Sequence, residues 1–459
     1  MLQVFKAFDR SVFGEVATDE ASDVEAKLAA AERVFRNRDT WLPTYRRMEI
    51  LRKVAAKVRE KRSFFSELIA SEAGKPLKDA LVEVDRAVDS FETAADCLRE
   101  FGGKEIPMGL TPASEGRLAF TTKEPIGVVV AISAFNHPLN LVAHQVAPAI
   151  AVGCPIIVKP APATPMSAIE LVRLVHEAGL DEAWCQTVVT SSNELAQALV
   201  TDPRVAFMSF IGSAKVGWYL RSQLAPGARC ALEHGGAAPA IIDASADIET
   251  IAPTLVRGAF YHSGQVCVST QRIFVHESLA TKFIDVLAAK TEELQAGDPL
   301  SAKTDVGPLI LPREADRISS WVQEAVDAGA RLATGGKRLS ETTLQPAILI
   351  NPPQDARVSR DEIFGPVVTV TSFSKLDDAI ALANGLPTAF QSSIFSRDIG
   401  AALRAATRLD ASAVMVNDHT AFRTDWMPFA GRRVSGVGVG GIPYTMHDMS
   451  EEKMIVLRH

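Results

Sequence analysis

The sequence predicts an α/β fold in which parallel sheets are covered by helices on both faces. Three observations carry it. From residue 127 short β-type runs alternate with helical ones, and a second series of the same kind follows residue 233. The chain's 459 residues also exceed what one core usually supports, so two or three domains are expected.

The first hundred residues read as a helical cover. "SDVEAKLAAAERVF" places Ser22 and Glu25 at capping-box spacing and repeats apolar residues at Val24, Leu28 and Phe35. A second helix is expected after Pro43, whose fixed φ suits a first turn, and a third from about Ala80 to Leu98. At residue 117 the texture changes: "GRLAFTTKEPIGVVVAIS" is alternating, then continuously β-type, and ends at the turn "AFNHP". Helix "LNLVAHQVAPAIAVG", strand "PIIVKP", helix "MSAIELVRLVHEAG", strand "CQTVVT", helix "ELAQALV", strand "VAFMSFIG" and helix "AKVGWYLRSQLA" follow. The second series ends near "AVMVND" and the Gly-rich "FAGRRVSGVGVGG". The terminal "EEKMIVLRH" reads as a strand that needs a partner elsewhere.

Composition narrows the function. With 47% hydrophobic and 22% charged residues and a net charge of -7, the chain offers no basic face for a nucleic-acid backbone. The basic stretch "RRMEILRKVAAKVREKR" interleaves apolar residues at helical spacing, so it reads as a solvated helix face. The longest apolar run, "IGVVVAI" at 126–132, falls far short of the roughly 20 residues of a transmembrane helix, and no membrane partner is expected. The opening "MLQVFKAFDR" lacks the positive start and apolar run of a signal peptide. The five cysteines (97, 154, 185, 230 and 267) are scattered and form no Cys-x-x-Cys pair. A reducing cytoplasm is expected, with neither a disulfide framework nor a metal site.

Several stretches carry chemistry. In "FIGSAKVG", Gly212 and Ser213 lie between a strand and a helix, where backbone N–H groups and the helix dipole favour a phosphate, although such a turn is also a common connection. "IIVKPAPATP" puts Lys159 at the C-terminal end of a buried strand, the edge at which parallel sheets bind ligands. It could hydrogen-bond ribose hydroxyls or leave the strand as a surface lysine. Glu233 in "CALEHGGAAPAIID" and Cys267 in "HSGQVCVST" each neighbour glycines, which let a ligand approach the backbone closely. Read alone, Cys267 could be an inert thiol and Glu233 a surface carboxylate. Asn136 in "AFNHP" has an amide able to donate to an oxyanion, and His137 beside it reads as a solvated turn residue. In "RDEIFGPV", Glu362 and Phe364 bring a carboxylate and a ring that could bracket a ribose, or form a loop entering a strand.

In order and spacing these stretches, with "LEHGG", "GQVC", "EIFGP" and the C-terminal "MPFAGRRVSG", resemble the NAD(P)-dependent aldehyde dehydrogenase superfamily along nearly the whole chain. The resemblance implies two doubly wound parallel-sheet domains plus a small β oligomerisation element. The dinucleotide-binding domain would take 1–106 and 127–233, the catalytic domain 234–440, and the oligomerisation strands 107–126 and 441–459. The last strand would extend a neighbouring subunit's sheet in a homodimer or homotetramer. The implied reaction is oxidation of an aldehyde to the acid with NAD or NADP as cofactor. Cys267, as a thiolate kept reachable rather than buried, would attack the aldehyde carbon; Asn136 and the Cys267 N–H would hold the oxyanion; Glu233 would activate water against the thioester. Ser133, Phe135, Lys159, Pro162, Gly212, Ser213 and Val216 would line the cofactor, with Glu362 and Phe364 at its nicotinamide end.

Departures from the family pattern refine this. Pro162 stands where many NAD-preferring members carry a glutamate that would repel a 2'-phosphate, so NADP is expected to be tolerated. His137 replaces a frequent aromatic residue, and "NDHTAFRTDWMPF" places Arg423 and Phe429 beside the substrate tunnel. That segment is similar to those of lactaldehyde, sulfolactaldehyde and phosphonoacetaldehyde dehydrogenases, so a short polar or anionic aldehyde is expected. Against this, Val266 stands where phosphorylated-aldehyde members often have arginine, and Arg423 could instead form a salt bridge to Asp425. His234 and Ala430 replace residues usual in the family, and the sequence gives His234 no role. Two other readings remain open: a CoA-acylating semialdehyde dehydrogenase and a non-catalytic binding protein on the same fold.

Overall fold

The computed structural model describes residues 1–458. The first sheet has six strands, ordered Gly436–Val437, Arg229–Glu233, Val205–Ile211, Val128–Ile132, Ile156–Lys159 and Cys185–Thr187. All pair in parallel except Gly436–Val437, which runs antiparallel to Arg229–Glu233 and sets Gly436 opposite Glu233. The "VVVAI" strand is continuously apolar because helices cover both faces of the sheet, as parallel pairing demands. One of these helices, Asn140–Val152, is buried at every position, wedged between the sheet and the helix Leu77–Cys97. The C-terminal ends of the four central strands open on one edge, and there the chain places Ser133, Lys159, Gly212 and Glu233.

The second sheet has seven strands, ordered Arg331–Thr334, Ala347–Ile350, Val367–Phe373, Thr270–His276, Ala238–Ile242, Gln391–Phe395 and Ala413–Val416. Only its first strand is antiparallel. Cys267 lies three residues before Thr270–His276, so it faces the open edge of the first sheet.

Ser450–Arg458 pairs antiparallel with Arg117–Pro125 along nine residues, and Glu105–Ile106 completes a three-stranded sheet. The partner that the terminal strand needs is thus found within 107–126, the stretch expected to share its element. The outer edge of Ser450–Arg458 is nonetheless open, with Met454, Val456 and Leu457 exposed.

Three further differences concern the N-terminal region. Leu2–Phe5 and Val12–Val16 form a hairpin, and a helix over Arg62–Ala73 lies between the expected second and third; both were missed. The first helix spans Ala21–Arg36, and its capping box pairs Glu20 with Asp23 instead of Ser22 with Glu25. Glu25 instead binds Arg204, at 2.6 Å, which fixes it on the outer face of the helix. Among the described residues no helix is long and apolar enough to cross a membrane.

Candidate active site

Cys267 is held by a strained platform. After the helix Ile248–Phe260, His262 (φ 48°), Ser263 (φ 58°) and Gly264 (φ 70°) adopt left-handed backbone in succession. Such residues cost of order 1–3 kcal/mol each for non-glycine side chains and persist only where neighbours enforce them. Here Ser263 Oγ donates to the Gly307 carbonyl at 2.6 Å, and Gln265 donates to Pro308 O and accepts from Ile310 N. A Cβ at Gly264 would overlap the Gly365 carbonyl, so only glycine fits. Gln265, quoted within "GQVC" but given no role from sequence, is therefore the pin of this loop.

Cys267 itself is half-buried, packed with Val266, Val268 and Phe429. Burial pushes its thiol up to about 12, a shift that Arg423 opposes and that Glu362 and Glu233 reinforce.

Asn136 sits in the turn between Val128–Ile132 and Asn140–Val152. Its Nδ2 donates to the Gln265 carbonyl at 2.9 Å, which ties the amide to the cysteine loop and leaves its second N–H free. The turn is anchored from below by Glu83, which accepts from the Leu139 and Asn140 N–H groups at 3.0 and 3.1 Å and pairs with the buried Lys75. Glu233 ends its strand with a carboxyl raised above the ordinary value by burial, an effect Arg423 counters. That carboxyl lies against Gly440, where a Cβ would collide with it.

The other wall of the cleft is basic. Arg423 stacks its guanidinium over the Phe429 ring at 3.6 Å and donates to His144 Nδ1 at 3.3 Å, while its buried Nε has no partner among the described residues. Asp425 accepts from Arg86 at 2.6 and 3.1 Å, from Asn140 at 3.2 Å and from His144 Nε2 at 2.6 Å, so it forms no salt bridge with Arg423. These partners hold its carboxyl well below the usual range despite burial. Arginine only donates, so His144 Nδ1 is the acceptor and Nε2 carries the proton. Burial lowers this imidazole to about 4 and keeps it neutral. His137 is likewise buried with its pKa depressed, 3.5 Å from Tyr261 Oη, and is no solvated turn residue. Arg86, Asn140 and Tyr261 also line the cleft and were missed. They lie far apart in sequence, and no local motif marks them.

A cavity of about 500 Å³ joins these groups to the edge of the first sheet. Ser133, Phe135, Lys159 and Pro162 line it, as do Gly212, Ser213, Glu362 and Phe364. Val216 does not: it is 46% exposed on the helix Ala214–Ser222. The lining fits a dinucleotide in its polar groups. Among the described residues Ser133 Oγ and Glu362 Oε1 are buried without partners, and Lys159, 8% exposed, donates only to the Pro160 carbonyl at 3.2 Å. Burial lowers Lys159 to about 8 and raises Glu362 to about 7. Phe135 and Phe364 meet edge to face at 5.8 Å. The Glu362 carboxylate lies directly over Gly235, so that a Cβ there would displace it.

Residues 1–455 match the sequence profile described as the aldehyde dehydrogenase family. The chain is 36% identical over 456 residues to 3-sulfolactaldehyde dehydrogenase of Priestia megaterium, covering 99% of this chain and 94% of that one. Its fold superposes on aldehyde dehydrogenase 21 of Physcomitrella patens, solved with the reaction product succinate, with a TM-score of 0.96 and 34% identity; 100% of this chain and 95% of that chain are covered. Glyceraldehyde-3-phosphate dehydrogenase of Methanocaldococcus jannaschii, solved with NADP, gives a TM-score of 0.95 at 34% identity, covering 100% and 99%.

Proposed function

The chain belongs to the aldehyde dehydrogenase family, whose members are NAD(P)-dependent enzymes, and we propose that it oxidises a short anionic aldehyde to its acid through a thioester on Cys267. One observation carries the substrate reading: Arg423 reaches the cleft with a buried, unpartnered Nε because Asp425 is already committed to Arg86 and His144. A buried guanidinium N–H without an acceptor is costly, and a carboxylate or sulfonate on the substrate would offset that cost. The sulfolactaldehyde enzyme and the succinate-bound relative act on or release molecules of this kind by name.

In this reading Glu233 takes the thiol proton as Cys267 Sγ bonds to the aldehyde carbon. The free N–H of Asn136 and the Cys267 N–H receive the negative oxygen. Bound NAD(P)+ supplies the acceptor for the hydride that leaves this carbon. Once Glu233 has passed the thiol proton to solvent it removes a proton from water, the water oxygen bonds to the thioester carbon, and the C–S bond breaks as Glu233 returns that proton to the departing sulfur, giving back the Cys267 thiol and releasing the acid. Lys159 and Glu362 would hold ribose hydroxyls, Ser213 at its helix N-terminus the pyrophosphate, and Phe135 with Phe364 the nicotinamide end. With Pro162 in place of a carboxylate, both NAD and NADP are accommodated.

The sheet bearing Lys159 serves as the dinucleotide-binding domain and the sheet after Cys267 as the catalytic one. The open edge of Ser450–Arg458 serves a homodimer or homotetramer. Five free cysteines suit a reducing cytoplasm. A panel of neutral and anionic aldehydes run with NAD+ and with NADP+ tests the whole reading. The expected result is CoA-independent turnover with the highest kcat/KM for a two- to four-carbon anionic aldehyde. Dependence on CoA, preference for long aliphatic aldehydes, or silence would contradict it.

A further inference from the structure

His234 stands next to Glu233, yet its side chain points away from the reacting groups. It is 1% exposed, and its Nδ1 lies 2.8 Å from the carbonyl of Gly212. A carbonyl only accepts, so Nδ1 carries the proton; Nε2 is then a bare lone pair, buried and without a partner. Burial lowers the pKa of the ring, which keeps it in this neutral form. The ring is wedged between Phe210 at 5.7 Å and Trp218 at 6.0 Å, and only glycine at 217 leaves room for it against the helix Ala214–Ser222. Its own N–H donates to Ser435 O at 3.0 Å, and Trp218 Nε1 donates to Val434 O at 3.0 Å. One strap therefore holds ring, helix and strand end together.

Gly212 is fastened twice to this strap. Its N–H donates to the Glu233 carbonyl at 3.1 Å, and its C=O accepts from the His234 ring. In a trans peptide the C=O of one residue and the N–H of the next point in opposite directions. A Gly212 carbonyl drawn inward to His234 thus turns the Ser213 N–H outward, into the cleft that Gly212 and Ser213 line. Among the described residues that N–H has no acceptor.

We infer that His234 is a positioning residue for the cofactor: it orients the Gly212–Ser213 peptide so that the Ser213 N–H faces the pyrophosphate, and it locks the turn to the strand that carries Glu233. This rests on the reading that the turn holds the pyrophosphate. The same wedge explains why a polar ring is tolerated where the family usually has an apolar residue, since one nitrogen is satisfied and the other faces aromatic carbon.

The test measures NADPH binding directly, by quenching of tryptophan emission, alongside steady-state kinetics and melting temperature. His234→Leu removes the donor and keeps an apolar filler. His234→Asn retains a donor near the Nδ1 position. Ser213→Pro removes the outward N–H at a residue whose φ of -67° proline accepts. We expect His234→Leu to weaken NADPH by about five- to tenfold, the loss of one hydrogen bond's orientation, and to raise the KM for NADP+ in step while kcat stays within about twofold. His234→Asn should recover most of the loss. Weakening in Ser213→Pro with unchanged binding in His234→Leu would overturn the inference and leave the pyrophosphate reading standing. Unchanged binding in Ser213→Pro would overturn both. A fall in kcat and melting temperature with no change in NADPH affinity would make His234 merely structural and also defeat the inference.

Discussion

Two clusters of buried charge meet on one face of the helix Leu77–Cys97, and the molecule treats them in opposite ways. In one, Lys75 and Glu83, both 0% exposed, pair with each other, and Glu83 also caps the helix Asn140–Val152. In the other, three residues along, Arg86 and Asp425 pair, His144 and Asn140 join them, and Arg423 is left with an unpartnered Nε at the cleft. The first cluster is closed by the chain itself. The second is closed only on its inner side, where Asp425 is taken up, and leaves an Arg423 N–H without an acceptor among the described residues. Lys159 behaves like Arg423: it is buried, lines the cleft and has no carboxylate partner.

The largest effect should come from breaking the closed cluster. Lys75→Met leaves the buried Glu83 without its cation, which should cost about 3–5 kcal/mol of stability in urea melts. The double variant with Glu83→Gln should regain much of this, and a double variant no more stable than the single would show that the pair is not a unit. Next is the residue the closed cluster supports. Asn136→Ala should lower kcat by about 10²–10³-fold with an unchanged melting temperature, as loss of one oxyanion donor does. A drop of less than about threefold would remove it from the oxyanion site.

Opening the second cluster should act on binding instead. Arg423→Leu should raise the KM for an anionic aldehyde by about 10- to 100-fold, the range of a charged hydrogen bond. For propanal the change should be small, and equal effects on both aldehydes would end the assigned role. The smallest effect concerns Lys159. Burial lowers it to about 8, so its charge is present below that pH and lost above it. The KM for NADP+ should rise a few-fold between pH 7 and 9, and Lys159→Met should flatten that profile. A parent profile as flat as the variant's would dissociate Lys159 from the cofactor.

The strands, the crossover helices and the cleft edge were legible because each is written in a local pattern. Apolar runs such as "IGVVVAI" and glycine turns at the ends of strands specify both element and position. Cys267, Glu233, Asn136 and Lys159 could be named because a family resemblance supplied their order, and the fold brings all four to one cavity. What sequence did not give was the long-range wiring. Asp425 could have bonded Arg423, two residues away, but a bidentate contact with Arg86, 339 residues distant, and the imidazole of His144 take its oxygens instead. The partial burial of Cys267 was hidden for a similar reason: the flanking residues are small and polar, but Phe429 packs against it from far along the chain. The capping box slipped by two residues because Glu20 and Asp23 satisfy the same geometry as Ser22 and Glu25.

The central claim is that the substrate's carbonyl carbon becomes covalently bound to the sulfur at 267. Glu233→Gln should still acylate slowly but release product far more slowly, so prolonged incubation with NADP+ and the best aldehyde should accumulate the adduct. Intact and peptide mass spectrometry then reads its location. The account predicts a mass gain equal to the acyl group, confined to the peptide containing Cys267 and absent in Glu233→Gln/Cys267→Ser. NADPH formed without such an adduct, or an adduct on another residue, would contradict it.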